Sequence, residues 1–171
     1  NSRTFIYSRK NIIEEDSFRV SFAPNTFYNS FQFVFNKKEK EDDKASKVYQ
    51  LHNRFVAAQK SFTVAIIPDS NYSKYLSKIY VAYSPNAKEY WYAGAKHRGS
   101  FITATSRSLG YFTLMCDTVA PVIEPLNISD NKNISKQKTI KIKIYDEQTD
   151  VVSFNAYLND KWVLMEYDPK N

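Results

Sequence analysis

Phe18-Arg19-Val20-Ser21-Phe22 sets apolar side chains at every second position, with Arg19 and Ser21 between them. Successive side chains of a strand point to opposite faces, so Phe18, Val20 and Phe22 share one buried face. Phe31-Gln32-Phe33-Val34-Phe35 repeats the period. Working outward, short runs rich in aromatic or β-branched residues occupy 4–7, 48–52, 62–67, 79–83, 89–92, 101–105 and 111–116. Clusters of Asn, Asp, Pro, Ser and Lys separate them, as expected of turns between strands. Helical periodicity surfaces only around 71–76, enough for one short turn. This spacing predicts an all-β chain built as sandwich or barrel.

The clearest alternation lies near the C-terminus, in Thr139-Ile140-Lys141-Ile142-Lys143-Ile144-Tyr145. Ile140, Ile142 and Ile144 are expected to face a core, while Lys141 and Lys143 face water and discourage edge-to-edge pairing. Asn159-Asp160 joins 154–158 to 161–167 and suits a type I′ turn, in which both residues take positive φ. Upstream, Asp117-Thr118-Val119-Ala120-Pro121 reads as a stiff connector, because Pro121 holds Ala120 extended and donates to no ladder. Pro125 then suits a first edge strand. The expectation is two consecutive β-sandwich, immunoglobulin-like modules, 1–116 and 117–171. The second has only 55 residues, where a complete sandwich takes about seven strands and ~100 residues. It is therefore expected to be incomplete, or to continue in further chain.

The 171 residues carry 24 Lys/Arg against 18 Asp/Glu, and 43% are hydrophobic. That is a globular composition. No apolar run approaches the ~20 residues of a membrane span. Asn1-Ser2-Arg3 starts without an initiator methionine or signal peptide, so the expectation is a mature or excised piece of something longer. Residues 1–116 hold 17 Lys/Arg against 9 Asp/Glu, and residues 117–171 hold 7 against 9. A basic first module can attract nucleic acid, anionic lipid or an anionic wall polymer, although a solvated surface is the plainer reading. The densest run, Lys37-Lys38-Glu39-Lys40-Glu41-Asp42-Asp43-Lys44, interleaves both signs and reads as an exposed loop. With only 3 glycines, positive-φ turns fall to Asn and Asp.

Groups able to do chemistry are few. Cys116 is alone, which excludes an intrachain disulfide and a cysteine zinc site, and it reads as an inert thiol ending a strand. His52 sits in strand-like text and reads as structural. His97 lies in a glycine-flanked loop beside Lys96 and Arg98, whose charges repel a cation. The acidic groups Glu14-Glu15-Asp16, Asp42-Asp43 and Asp146-Glu147 fall in turn-like text, and 146–150 lacks the glycine and spacing of a calcium loop. Gly-x-Ser-x-Gly and phosphate-loop patterns are absent. No catalytic residue, metal ligand or cofactor is expected. Tyr90-Trp91-Tyr92 is the one candidate binding group: the tyrosines would share one face of a strand, and exposed aromatics can stack on sugars or bases. Core packing competes with that role. Asn71, Asn127 and Asn133 begin glycosylation sequons, which matter only in a eukaryotic host.

Thr105-Ser106-Arg107-Ser108-Leu109-Gly110-Tyr111-Phe112-Thr113-Leu114, followed by Asp117-Thr118-Val119-Ala120-Pro121, resembles a junction in lysostaphin-like zinc endopeptidases of Gram-negative bacteria. These carry non-catalytic β modules after the peptidase domain. Lys161-Trp162-Val163-Leu164-Met165-Glu166-Tyr167-Asp168-Pro169-Lys170-Asn171 is similar to a segment of the same C-terminal region, and Leu51-His52-Asn53-Arg54 fits the middle of the first module. The family's His-x-x-x-Asp and His-x-His zinc motifs are absent, and neither His52 nor His97 matches them. The resemblance implies a non-catalytic accessory region of an exported cell-envelope peptidase, in the periplasm or on the outer surface. Its partner would be an upstream peptidase domain or envelope protein, and cell-wall polymer is a further candidate. A carbohydrate-binding or adhesion module using Tyr90, Trp91 or Tyr92 is the alternative. Nucleic-acid binding ranks below both, since no stacking motif of the recognised sort is present.

Overall fold

The computed structural model describes residues 2–149, 151 and 153–168. They are nearly all β, with one 3-10 segment at Ser70–Lys78. The chain divides into two compact units, Asn1–Thr118 and Val119–Asn171.

The first unit begins with β1 (Ser2–Phe5), β2 (Asn11–Glu15), β3 (Phe18–Phe22), β4 (Phe31–Lys38), β5 (Val48–Leu51) and β6 (Ala57–Ile66). It continues through β7 (Ile79–Ser84), β8 (Trp91–Gly94), β9 (Lys96–Arg98), β10 (Phe101–Ser108) and β11 (Gly110–Cys116). One sheet has the order β1-β4-β5-β11-β7-β8 and the other β2-β3-β6-β10-β9. Every pairing is antiparallel. At both margins the chain steps from one sheet to the other, from β1 to β2 and from β8 to β9. Edge strands, which could otherwise recruit foreign strands, are thereby bent into the sandwich.

The alternation of β3 is borne out: Phe18, Val20 and Phe22 are buried, Arg19 is exposed and Ser21 is half-buried. Phe33 and Phe35 join them from β4. Rings pack across the sheets, with Phe18 stacked on Tyr49 at 4.3 Å and Phe5 against Phe22 at 5.3 Å, and within each sheet, with Phe5 stacked on Phe33 at 4.0 Å and Phe22 against Phe62 at 4.8 Å. Each such pair adds to the area it buries. Gly110 is required where it stands. Its φ is +150°, and a Cβ there would lie 2.7 Å from the Ser84 carbonyl oxygen.

Several local expectations are corrected. Glu14 and Glu15 lie in β2 rather than in a turn, because Asn11–Glu15 forms the antiparallel partner of β3. His97 lies on the short strand β9, held by its pairing with Ile102, not in a loop. His52 falls just beyond β5, at φ +51°. Lys44 is not exposed: it is 3% accessible, because the 44–46 segment lies along β11, with Ala45 N donating to Leu114 O at 2.7 Å. There Ser46 Oγ accepts the Leu114 amide at 2.9 Å, supplying a ladder bond that the irregular backbone omits. The turn chemistry agrees with the glycine shortage, since Asn25, Asn131, Asn159 and Asp160 take positive φ.

The second unit contains β12 (Val122–Pro125) paired with β13 (Ile142–Tyr145), and β14 (Ala156–Leu158) paired with β15 (Lys161–Val163). Asn159 at φ +49° and Asp160 at φ +62° close the β14–β15 hairpin as a type I′ turn requires. The strand expected over 139–145 is ordered as strand only from Ile142. Ile142 and Ile144 are half-buried and Ile140 is exposed, so they do not form a buried core. Two-stranded ribbons cover one face incompletely, which is the physical reason.

Candidate functional site

Of Tyr90, Trp91 and Tyr92, only Trp91 is largely exposed, at 51%. Tyr92 lies against Tyr80, with ring centroids 5.5 Å apart. Tyr90 covers the ammonium of Lys44 at 4.7 Å, and Lys44 also pairs with Glu41 at 2.6 Å and Asp43 at 3.0 Å. Two carboxylates and an aromatic face together compensate the burial of that cation. Burial raises the Tyr90 phenol above its ordinary value, and no group among the described residues hydrogen-bonds its hydroxyl. The two tyrosines therefore cover the outer side of the six-stranded sheet. They do not form one flat platform with Trp91.

His52 is a structural group. Its Nδ1 accepts the Val34 amide at 3.2 Å, and its ring stacks on Phe33 at 5.5 Å. Burial holds its pKa below the ordinary 6.5. The imidazole thus acts as a neutral acceptor where β4 overruns β5. His97 is exposed on β9. Cys116 Sγ lies 3.9 Å from Asp117 O, and burial first among its causes raises the thiol pKa, which works against a reactive thiolate. Asp146 Oδ1 accepts the amides of Gln148 and Thr149, both at 2.8 Å, and these bonds lower its pKa. Asp150, the other end of the 146–150 stretch, lies outside the described residues. Glu14 is paired with Arg19, and Glu15 with Lys37. Among the described residues no group of three His, Cys, Asp or Glu side chains could hold a metal ion.

A different constellation stands at one end of the first sandwich. Beside the single-residue turn at Leu109, four longer connections emerge there, at 6–10, 23–30, 52–56 and 85–90. Hydrogen bonds tie the first two together and to β6: Asn25 N donates to Tyr7 O at 2.7 Å, Tyr7 N to the Ser30 side-chain Oγ at 3.1 Å, and Gln59 N to Thr26 O at 2.8 Å. Large rings project from their tips, with Phe55 82% and Tyr28 64% exposed, and Tyr7 also exposed. Trp91 follows the last connection. The tip of 52–56 is shaped by Asn53, whose Oδ1 accepts the Phe55 amide at 3.0 Å, and Arg54 lies over the Phe55 ring at 5.1 Å. Asn86 fixes the next tip similarly, accepting the Lys88 amide at 3.0 Å.

The charge at this end is one-sided. The four connections contain Arg9, Lys10, Arg54 and Lys88 and a single acid, Glu89. None of the ion pairs among the described residues involves those four cations; the pairs involve Arg19, Lys37, Lys40, Lys44 and Lys47. Sequence reading missed the cluster because its members are dispersed over 85 residues. The available signal was a large aromatic beside a base within a connection, as in Arg54-Phe55. A groove between β8 and β10, lined by Thr63, Thr103, Lys96 and Arg98, is a separate polar feature of the sandwich margin.

Residues 2–117 match the model of the Zu5-like domain family, and the chain belongs to that family. The matched stretch coincides with the first compact unit. No curated protein shows a significant match to the chain.

Proposed function

We propose that this member of the Zu5-like domain family is a non-catalytic docking region, and that the loop end of its first unit is the contact surface. The observation that carries the reading is the combination of projecting rings (Phe55, Tyr28, Tyr7) with four cations that take part in no ion pair among the described residues. Exposed rings forgo burial in the free protein and gain it on contact, while one-sided charge steers an anionic surface toward them. The histidines support the same reading, since His52 is committed to the Val34 amide.

The finer proposal is an accessory region that positions a cell-envelope peptidase, exported to the periplasm or outer surface. It rests on the resemblance of 105–121 and 161–171 to the modules that follow lysostaphin-like peptidase domains. Carbohydrate binding is the second reading, favoured by the half-exposed indole of Trp91. The test is to incubate the whole chain with labelled peptidoglycan, with and without zinc, and to sediment it with an envelope fraction across a salt series. No turnover and salt-weakened sedimentation are expected. Zinc-dependent turnover lost in His52→Ala or His97→Ala would overturn the docking reading. Salt-insensitive retention on peptidoglycan, lost in Trp91→Ala, would replace it with the carbohydrate-binding one.

A further inference from the structure

Docking through this end leaves the chemistry of the opposite surface open, and the side chains themselves restrict it. Phe55 and Ile6 are exposed and carry no polar atom beyond the backbone. A sugar platform uses a flat ring flanked by side-chain donors and acceptors, usually within a cleft. Here the rings stand on separate connections, and none of them lines the groove between β8 and β10. Tyr28 and Tyr7 add amphipathic rings, the kind that settle at the boundary between hydrocarbon and water. Arg9, Lys10, Arg54 and Lys88 stand among these tips with side chains long enough to remain at a charged layer while the rings go deeper.

We infer that the loop end of the first unit inserts shallowly into an anionic lipid bilayer. Phe55 and Tyr28 enter the acyl boundary, and Arg9, Lys10, Arg54 and Lys88 contact acidic headgroups. The inference rests on the docking reading above and names its partner. The 52–56 and 85–90 tips are already shaped by the Asn53 and Asn86 side chains, which reduces the backbone ordering needed there on binding. The apolar and charge contributions are separable. Each basic residue near an anionic surface contributes about fivefold in binding, from ~1 kcal/mol per charge, and that part weakens with salt. The rings contribute on neutral and anionic lipid alike.

The test is sedimentation of the whole chain with phosphatidylcholine vesicles and with equimolar phosphatidylcholine–phosphatidylglycerol vesicles. Binding to the anionic vesicles, falling with salt, is expected. Lys10→Glu/Arg54→Glu should lower it by more than about tenfold, whereas Lys74→Glu/Lys78→Glu, with the same change in net charge, should leave most of it. Phe55→Ala/Tyr28→Ala should also release the chain. All these positions are exposed, and unchanged melting temperatures establish that each variant is folded. Equal loss from both charge-reversal pairs would mean unspecific attraction and overturn the inference. Absence of vesicle binding with retention on peptidoglycan would overturn the lipid assignment and leave the docking reading standing. Absence of binding to vesicles, peptidoglycan and envelope fraction alike would overturn both.

Discussion

The two units carry the same alternation of apolar and polar residues but bury it to different depths. In the first unit, Phe18, Val20 and Phe22 lie at 0% accessibility between two sheets. In the second, Ile142 and Ile144 keep the same period on β13 yet remain half-buried. Among the described residues every buried hydrophobic lies between Phe5 and Leu114. The difference teaches that alternation determines which side of a strand is apolar, while burial needs a second layer opposite it. A six-stranded sheet facing a five-stranded one supplies that layer in the first unit.

Exposed aromatics occur in both units, and the charge around them differs. Trp162 and Tyr157 face each other across β14–β15 and are 58% and 65% exposed, comparable with Trp91 and Tyr28. They belong to a region with more acidic than basic residues, whereas the loop end of the first unit is almost free of acids. Aromatic exposure alone therefore does not separate the two surfaces. The accompanying charge does.

The largest effect that could break this comparison is on stability. Phe33→Ala removes a ring buried against Phe5 and Phe22 and should cost roughly 3–5 kcal/mol. Ile144→Ala removes a half-buried side chain and should cost about 1 kcal/mol or less. Denaturant melts monitored by amide exchange in each unit would check the contrast, and equal costs would show that the second unit has a core like the first.

A smaller effect concerns His52 alone. Its folded pKa is held below the ordinary 6.5, so the neutral ring's contribution is complete above about pH 6.5 and is lost as pH falls through the lowered value. Protonated Nδ1 would confront the Val34 amide with a second donor. Melting temperature should therefore drop on acidification through this window. His52→Asn, which keeps an acceptor and tolerates positive φ, should flatten that part of the profile. An unchanged profile in the variant would assign the acid sensitivity to other groups.

The all-β class and most strands of the first unit were legible because a core between two sheets imposes period two on both. The Asn159-Asp160 turn was legible for a local reason, its positive φ. β2 escaped because it is an edge strand that ends in Glu14, which is exposed, and Glu15, which is half-buried and paired with Lys37, so its polarity resembles that of a turn. Lys44 escaped because its burial is made possible by Glu41, Asp43 and Tyr90, the last of them distant in sequence. The loop-end cluster escaped for the same reason on a larger scale: only the return of strands to one end brings Tyr7, Tyr28 and Phe55 together. Tyr90-Trp91-Tyr92 was conspicuous as a triplet, but strand geometry divides it between two sides.

We propose that docking is made by the loop end of the first unit and not by the aromatic hairpin of the second. Sedimentation with an envelope fraction, comparing Phe55→Ala/Tyr28→Ala with Tyr157→Ala/Trp162→Ala in the whole chain, tests it most directly. The prediction is release of the first variant and retention of the second at wild-type level. Retention of the first and release of the second would contradict the claim.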